Sequence, residues 1–292
     1  TSQTQGQQFR RETANFGANF NVTVGADASP TQPYWLEQPR RGDLFSWSGG
    51  SEQTLPFQAP VAFAEIKMTV AGKEITFRQP VEYRYADDIR GELRRPLVVV
   101  PAVSVSVDQD LMIIARNARE TIKKIAVTVT NNSSGPVTGN VKLSLPAGWA
   151  ASGDPAFSLD RKGESASVPF SIKIRSNPSA GSFHINASAV AGNSEYGSSI
   201  RTLSYPHIQT HRLYNDAAAK VNVFDLKTAP ARIGYIAGSG DRVPEAMKQM
   251  GYSVETIDEG TLASGDLAKY DVIVVGIRAY QVPGADVTLT VF

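Results

Sequence analysis

Between residues 103 and 203 the chain repeats one pattern: a strand-length run of alternating apolar and polar residues, stopped each time by turn-forming residues. The runs cover 103–107, 122–130, 139–145, 166–174, 183–190 and 198–203. The interruptions at 131–136, 146–148, 160–163 and 177–181 are rich in Asn, Pro, Gly, Ser and Asp. Those residues supply the positive φ angles and preset proline torsions that tight reversals need. Six or seven short strands in about a hundred residues are the signature of an immunoglobulin-like β-sandwich. The stretch before it reads similarly. Residues 61–70 and 74–77 alternate across Ala71-Gly72-Lys73, which predicts a β-hairpin, and Asp87 to Glu92 read as a polar turn. The first hundred residues are therefore expected to form a small sandwich of their own.

The texture changes after Tyr205. Residues 232–237 read as a buried strand, followed by Gly238-Ser-Gly240 and a helical pattern over 243–250 closed by Gly251. Two more strands are expected at 253–257 and 271–276, the last apolar on both faces. Strand, helix, strand, connection, strand with continuous apolar strands indicates parallel pairing in an α/β layer of the flavodoxin or Rossmann kind. About 60 residues follow Arg232, enough for the first half of such a domain, and 286–292 again has strand character. The expected fold class is thus mainly β: a β-sandwich over 1–101, an immunoglobulin-like sandwich over 102–207, a linker over 208–230 and a partial α/β domain over 231–292.

Composition narrows the function. Of 292 residues, 29 are basic and 28 acidic, leaving a formal charge of +1 and no global field to draw nucleic acid or an anionic membrane. Zero cysteines exclude disulfides, zinc–thiolate sites and thiol catalysis. No apolar run approaches the roughly 20 residues of a membrane-spanning helix. The polar opening over residues 1–8, with neither an initiator Met nor an apolar signal core, suggests a processed or excised fragment.

Several stretches, taken together and in order, resemble a known family: Gln32-Pro-Tyr-Trp-Leu36, Pro80-Val-Glu-Tyr-Arg84 with Gly91-Glu92 and Arg95-Pro96, Tyr205-Pro-His-Ile208, and the run from Arg232 to Glu245. They are similar to the region downstream of the catalytic domain in large bacterial PIG-L/LmbE-like N-acetylglucosamine deacetylases. Val127-Thr-Val-Thr-Asn131 and the run from Gly139 to Trp149 resemble the non-catalytic sandwich domain found beside α-galactosidases. The segment from Arg232 resembles the start of a ThuA-like, glutamine-amidotransferase-like domain, and the likeness lapses after Tyr280. The resemblance implies a secreted or periplasmic zinc hydrolase as parent, with its metal in a His-Pro-Asp-Asp motif. This chain has no His-Pro pair. Neither a catalytic residue nor a metal ligand is therefore carried over, no cofactor is expected in the chain itself, and the implied partner is the parent's deacetylase domain.

The remaining chemistry is sparse. Tyr34, Trp35 and Trp47 cluster beside Arg40, Arg41 and Asp43, the mixture of aromatic faces and hydrogen-bonding groups with which sandwich domains hold sugars. The plainer reading is packing behind Pro33. His207 and His211 have the four-residue spacing of zinc ligands on a helix, but Pro206 precedes them and no third ligand is evident. His184 reads as an ordinary sheet residue, and Trp149 as core. The Gly-rich run 234–241 lacks Gly-x-Gly-x-x-Gly spacing, so it reads as a strand-to-helix turn with Asp241 as N-cap. Asn132-Ser-Ser134 fits the N-glycosylation triplet. The leading expectation is an accessory region with a glycan as candidate ligand. Its competitors are a small-molecule or catalytic site on the α/β part, completed by further sequence or a partner, and a pure structural spacer.

Overall fold

The computed structural model describes residues 19–25, 28–47, 55–117 and 122–281. The chain divides into two compact units, one of residues 1–101 with 201–214 and one of 102–200 with 215–292.

In the first unit a 3-10 turn, Tyr34–Leu36, is followed by strands β1 (Phe63–Val70), β2 (Lys73–Pro80), β3 (Glu82–Asp87) and β4 (Gly91–Pro96). Ala71 and Gly72 carry φ angles of 51° and 79°, the left-handed geometry that a two-residue hairpin turn requires. That turn fixes the register from Val70 opposite Lys73 to Phe63 opposite Pro80. The β3–β4 reversal is held by the Asp87 carboxylate, which accepts the N–H groups of Ile89 and Arg90 at 3.0 and 2.8 Å. Those two bonds hold its carboxyl below the usual carboxylate range. Each hairpin is a sheet by itself, and no residue in any of the four strands is buried. Within 1–101 the described residues thus form two separate two-stranded sheets.

The second unit opens with β5 (Val103–Val107), β6 (Leu111–Ala115), β7 (Ile122–Asn131), β8 (Val137–Ser144), β9 (Ala150–Ser152), β10 (Ala156–Leu159), β11 (Ser165–Lys173), β12 (Gly181–Ala191) and β13 (Ser194–Tyr196). A hairpin of β14 (Ser198–Leu203) and β15 (His211–Asp216) interrupts the sequence, and β16 (Ala218–Phe224) resumes it. One sheet has the order β5-β7-β11-β9, the other β10-β8-β12-β16-β6 with β13 on β12. All these pairings are antiparallel except β16 with β6.

The period-two pattern decides which side chains turn inward. Ile125, Val127 and Val129 of β7, Val168, Phe170 and Ile172 of β11, Ile185, Ala187 and Ala189 of β12, and Ala219, Val221 and Val223 of β16 meet in one buried cluster, with Trp149 and Phe183 packed at its border. Each large aliphatic chain taken out of water there contributes about 1.5–3 kcal/mol. Asn131 ends β7 fully buried, and its side chain is satisfied: Nδ2 donates to the Gly135 carbonyl at 2.8 Å, while Oδ1 accepts the Ser133 N–H and hydroxyl. Two strands occupy the expected linker 208–230. β16 is an inner strand of the larger sheet, so the fold of this layer depends on a segment beyond residue 207.

After β16 come β17 (Arg232–Ile236), α1 (Val243–Gln249), β18 (Ser253–Ile257), α2 (Glu259–Ser264) and β19 (Val272–Val275), then a 3-10 turn at Ala279–Gln281. The three strands are parallel in the order β18-β17-β19. β17 is central and buried at Ile233, Tyr235 and Ile236. Asp258 caps α2 by accepting the Thr261 N–H at 2.7 Å. For α1 the cap position is Arg242 rather than Asp241, and it makes no side-chain cap bond. The strand-like run 286–292 lies outside the described residues.

Candidate ligand-binding site

Pro33 is buried and launches the 3-10 turn in which Tyr34 and Trp35 stand side by side. Their rings meet edge to face at 4.9 Å, and Trp47 closes on Tyr34 from a distant point of the sequence at 5.9 Å, again at 88°. These are the offsets that aromatic quadrupoles favour. The Tyr34 hydroxyl donates to the Leu55 carbonyl at 3.2 Å, so one side chain ties together three segments of the first unit. Tyr34 and Trp35 are half-buried, and Trp47 is 40% exposed.

The loop from 37 to 47 frames the rings. Arg41 and Leu44 exchange backbone bonds across a turn in which Gly42 has φ 60°, a left-handed position suited to glycine. The Ser46 hydroxyl donates to Gln38 Oε1 at 3.3 Å, and the Arg40 guanidinium lies 5.9 Å from the centre of the Phe45 ring. Arg40, Arg41 and Asp43 are exposed. The arrangement offers partly open aromatic surface bordered by amide, hydroxyl, guanidinium and carboxylate groups, a chemistry suited to a neutral polyhydroxy ligand. Phe45 belongs to this border although the sequence reading passed over it.

The histidines fall elsewhere. His211 begins β15 and stacks on Phe57 at 5.9 Å with 24° between the planes, while His207 packs against Tyr205. Neither sits on a helix, so the four-residue spacing brings no two imidazoles onto one face. His184 is exposed on β12. Among the described residues no group of three or more His, Asp or Glu side chains is placed to hold a metal ion.

The Gly-rich run ends at a latch. Gly238 passes so close to the turn after β19 that an added Cβ would lie 2.1 Å from the Ile277 carbonyl oxygen. The Tyr235 hydroxyl and the Val243 N–H donate to Asp241 Oδ1, and the Ile277 N–H donates to Oδ2 at 3.2 Å. The tyrosine bond, with the two backbone bonds, lowers the Asp241 pKa, while burial followed by the carboxylate pushes the Tyr235 phenol up to about 12. Both carboxylate oxygens are thus occupied by the protein itself. On the second unit an open groove of about 660 Å³ runs over the outer face of β8, β12 and β13. There Glu195 accepts the Ser188 hydroxyl at 2.6 Å and pairs with Lys142 at 3.9 Å.

No family model and no curated protein matches the chain. Among solved structures it is similar to a FixG-related protein from Vibrio parahaemolyticus at 14% identity and a TM-score of 0.29, over 42% of this chain and 98% of that one. It is also similar to native α2-macroglobulin from Escherichia coli at 16% identity and a TM-score of 0.28, over 44% of this chain and 18% of that one. A family 123 glycoside hydrolase from Clostridium perfringens is similar at 12% identity and a TM-score of 0.24, over 46% and 30%. At such TM-scores none of these likenesses carries an argument about function.

Proposed function

We propose that the chain is a non-catalytic accessory region of a larger secreted or periplasmic PIG-L/LmbE-like sugar N-deacetylase, and that it binds carbohydrate through Tyr34, Trp35 and Trp47. The observation that carries the binding role is that Trp47, from a separate point of the sequence, joins the adjacent rings of Tyr34 and Trp35 in one partly open cluster. A sugar presents an axial C–H face that stacks on such rings, and its hydroxyls would take Gln38, Arg41 and Asp43 at the border.

The test is titration of the purified chain with chito-oligosaccharides and a glycan array, beside a deacetylation assay in added zinc. Binding without turnover is expected. Trp47→Ala should weaken it roughly tenfold, the loss of one aromatic contact, with the circular dichroism spectrum unchanged. Absence of any glycan binding would leave the spacer role, and zinc-dependent turnover by the chain alone would overturn the reading.

The strand order β18-β17-β19 favours a second reading, because ligands of open parallel sheets settle at the carboxyl ends of the strands where the order reverses. Here that point lies between β17 and β19, over the Asp241 latch.

A further inference from the structure

β1 and β2 form a sheet of two strands with chemically distinct faces. Ile66 stands opposite Phe77 and Met68 opposite Ile75, so these four and Val70 share one face, and each is 41–52% exposed. Glu65, Lys67, Glu74, Thr76 and Arg78 share the other. A hairpin of this kind is marginal in water, and three or more strands with an apolar face are needed for independent stability.

The free edge of β2 has a defined chemistry. A two-residue turn makes Val70 and Lys73 the hydrogen-bonded pair that closes the hairpin, and bonded pairs then alternate along the strands. The backbone groups of residues 73, 75, 77 and 79 therefore point toward β1. Those of Glu74, Thr76 and Arg78 point away from it, and no strand among the described residues takes them.

We propose that two copies of the chain pair antiparallel through these β2 edges, about a two-fold axis at Thr76. In that register Glu74 of each copy faces Arg78 of the other, Ile75 faces Phe77, and Lys73 faces Gln79. Thr76 meets its own equivalent, and no like charges are opposed. Sliding the pairing by two residues in either direction loses the Glu–Arg match, and sliding it by one sets the apolar face against the polar one. The β1 edge is less suited, because Glu65 and Lys67 already pair with each other at 3.4 Å. Among the described residues Glu74 and Arg78 form no ion pair; Arg78 lies over the Phe63 ring at 4.6 Å. The second copy supplies the third and fourth strands, and the result is one antiparallel sheet with a continuous apolar face.

Sedimentation velocity of the whole chain over a concentration series tests this. The wild-type chain should sediment with twice its formula mass. Thr76→Pro should be monomeric with an unchanged circular dichroism spectrum, since proline is tolerated where the N–H faces away from the existing partner strand. Glu74→Arg should weaken the dimer roughly tenfold by opposing like charges twice, and the exchange Glu74→Arg with Arg78→Glu should restore it. A wild-type chain that stays monomeric throughout, as it would if the edge served a different protein, overturns the proposal. So does a dimer that survives Thr76→Pro, or an exchange variant that folds but does not regain the dimer.

Discussion

Tyr235 and Asp241 show how a single residue pair can fix the end of a parallel sheet. Tyr235 is 2% exposed on the central strand, so its hydroxyl needs a partner, and Asp241 in the following loop supplies it. The same carboxylate accepts the Ile277 N–H, which fastens the turn after β19 to the loop after β17. The phenol is pushed from its ordinary value of 10 to about 12, so between those values the folded state holds a proton that the unfolded chain has lost. Stability from this group is therefore complete below pH 10 and declines as pH rises toward 12. The Asp241 carboxyl is displaced downward. Its contribution is present above the ordinary carboxylate range and is lost as pH falls through the depressed value. Tyr235→Phe should abolish the alkaline decline arising from this group. It should also move the Asp241 carboxyl back upward, since the tyrosine bond is the largest cause of its shift. Equilibrium unfolding against pH, with carboxyl shifts followed by nuclear magnetic resonance, would read both. An Asp241 carboxyl that titrates identically in the variant would refute the coupling.

Among elements, β6 and α1 meet in a way the sequence does not announce. β6 is the last strand of the larger sheet, with one edge on β16 and no strand among the described residues on the other. Gln249 near the end of α1 takes the place of a further strand there. Its Oε1 accepts the Ile113 N–H at 2.8 Å and its Nε2 donates to the Leu111 carbonyl at 3.1 Å, while Arg242 pairs with Asp110 at 2.9 Å. Gln249→Ala should lower stability by about 1–2 kcal/mol and speed amide exchange at Ile113 above all; unchanged exchange there would show that the side chain caps nothing. The elements legible in the sequence are those with local signals. The β1–β2 hairpin declares itself by alternation around Gly72, β17 and β19 by apolar continuity, and β7 and β11 by strict period two. β6 was not legible because Leu-Met-Ile-Ile-Ala has no alternation and suits a helix as well. β16 was not, because its alanines give a weak apolar signal and its partners lie far away in the chain. The short α2 carries Gly260 in its first turn, which dilutes its helical pattern. At the candidate site the adjacency of Tyr34 and Trp35 is written in the chain, whereas the contact of Trp47 with Tyr34 comes from the fold. The Leu55 carbonyl and the Phe57–His211 stack come only with the fold, since no spacing rule links segments so far apart.

At the scale of the whole molecule, apolar burial is distributed very unevenly. Every fully buried large side chain among the described residues belongs to the second unit. The first unit instead exposes Ile66, Met68, Phe77, Tyr83, Ile89 and others on open hairpins. Buried apolar area is the main favourable term in folding, so the second unit should hold its structure while the first opens locally. Two basic residues make the contrast measurable. Arg90 lies in the β3–β4 turn, beside an Ile89 that is 95% exposed, and there only the Asp87 carboxylate and one pair of strands hold the backbone. The Lys142 side chain is 62% exposed, yet its backbone pairs with β12 inside the larger sheet. Since the two side chains are both accessible, the difference in trypsin cleavage should come from how often the backbone opens. Under native conditions cleavage after Arg90 should precede cleavage after Lys142 by orders of magnitude, and mild denaturant should accelerate the second far more than the first, because it requires the cooperative opening of a packed layer. Equal rates at the two sites would mean that the first unit is held as firmly as the second, by contacts other than buried apolar surface.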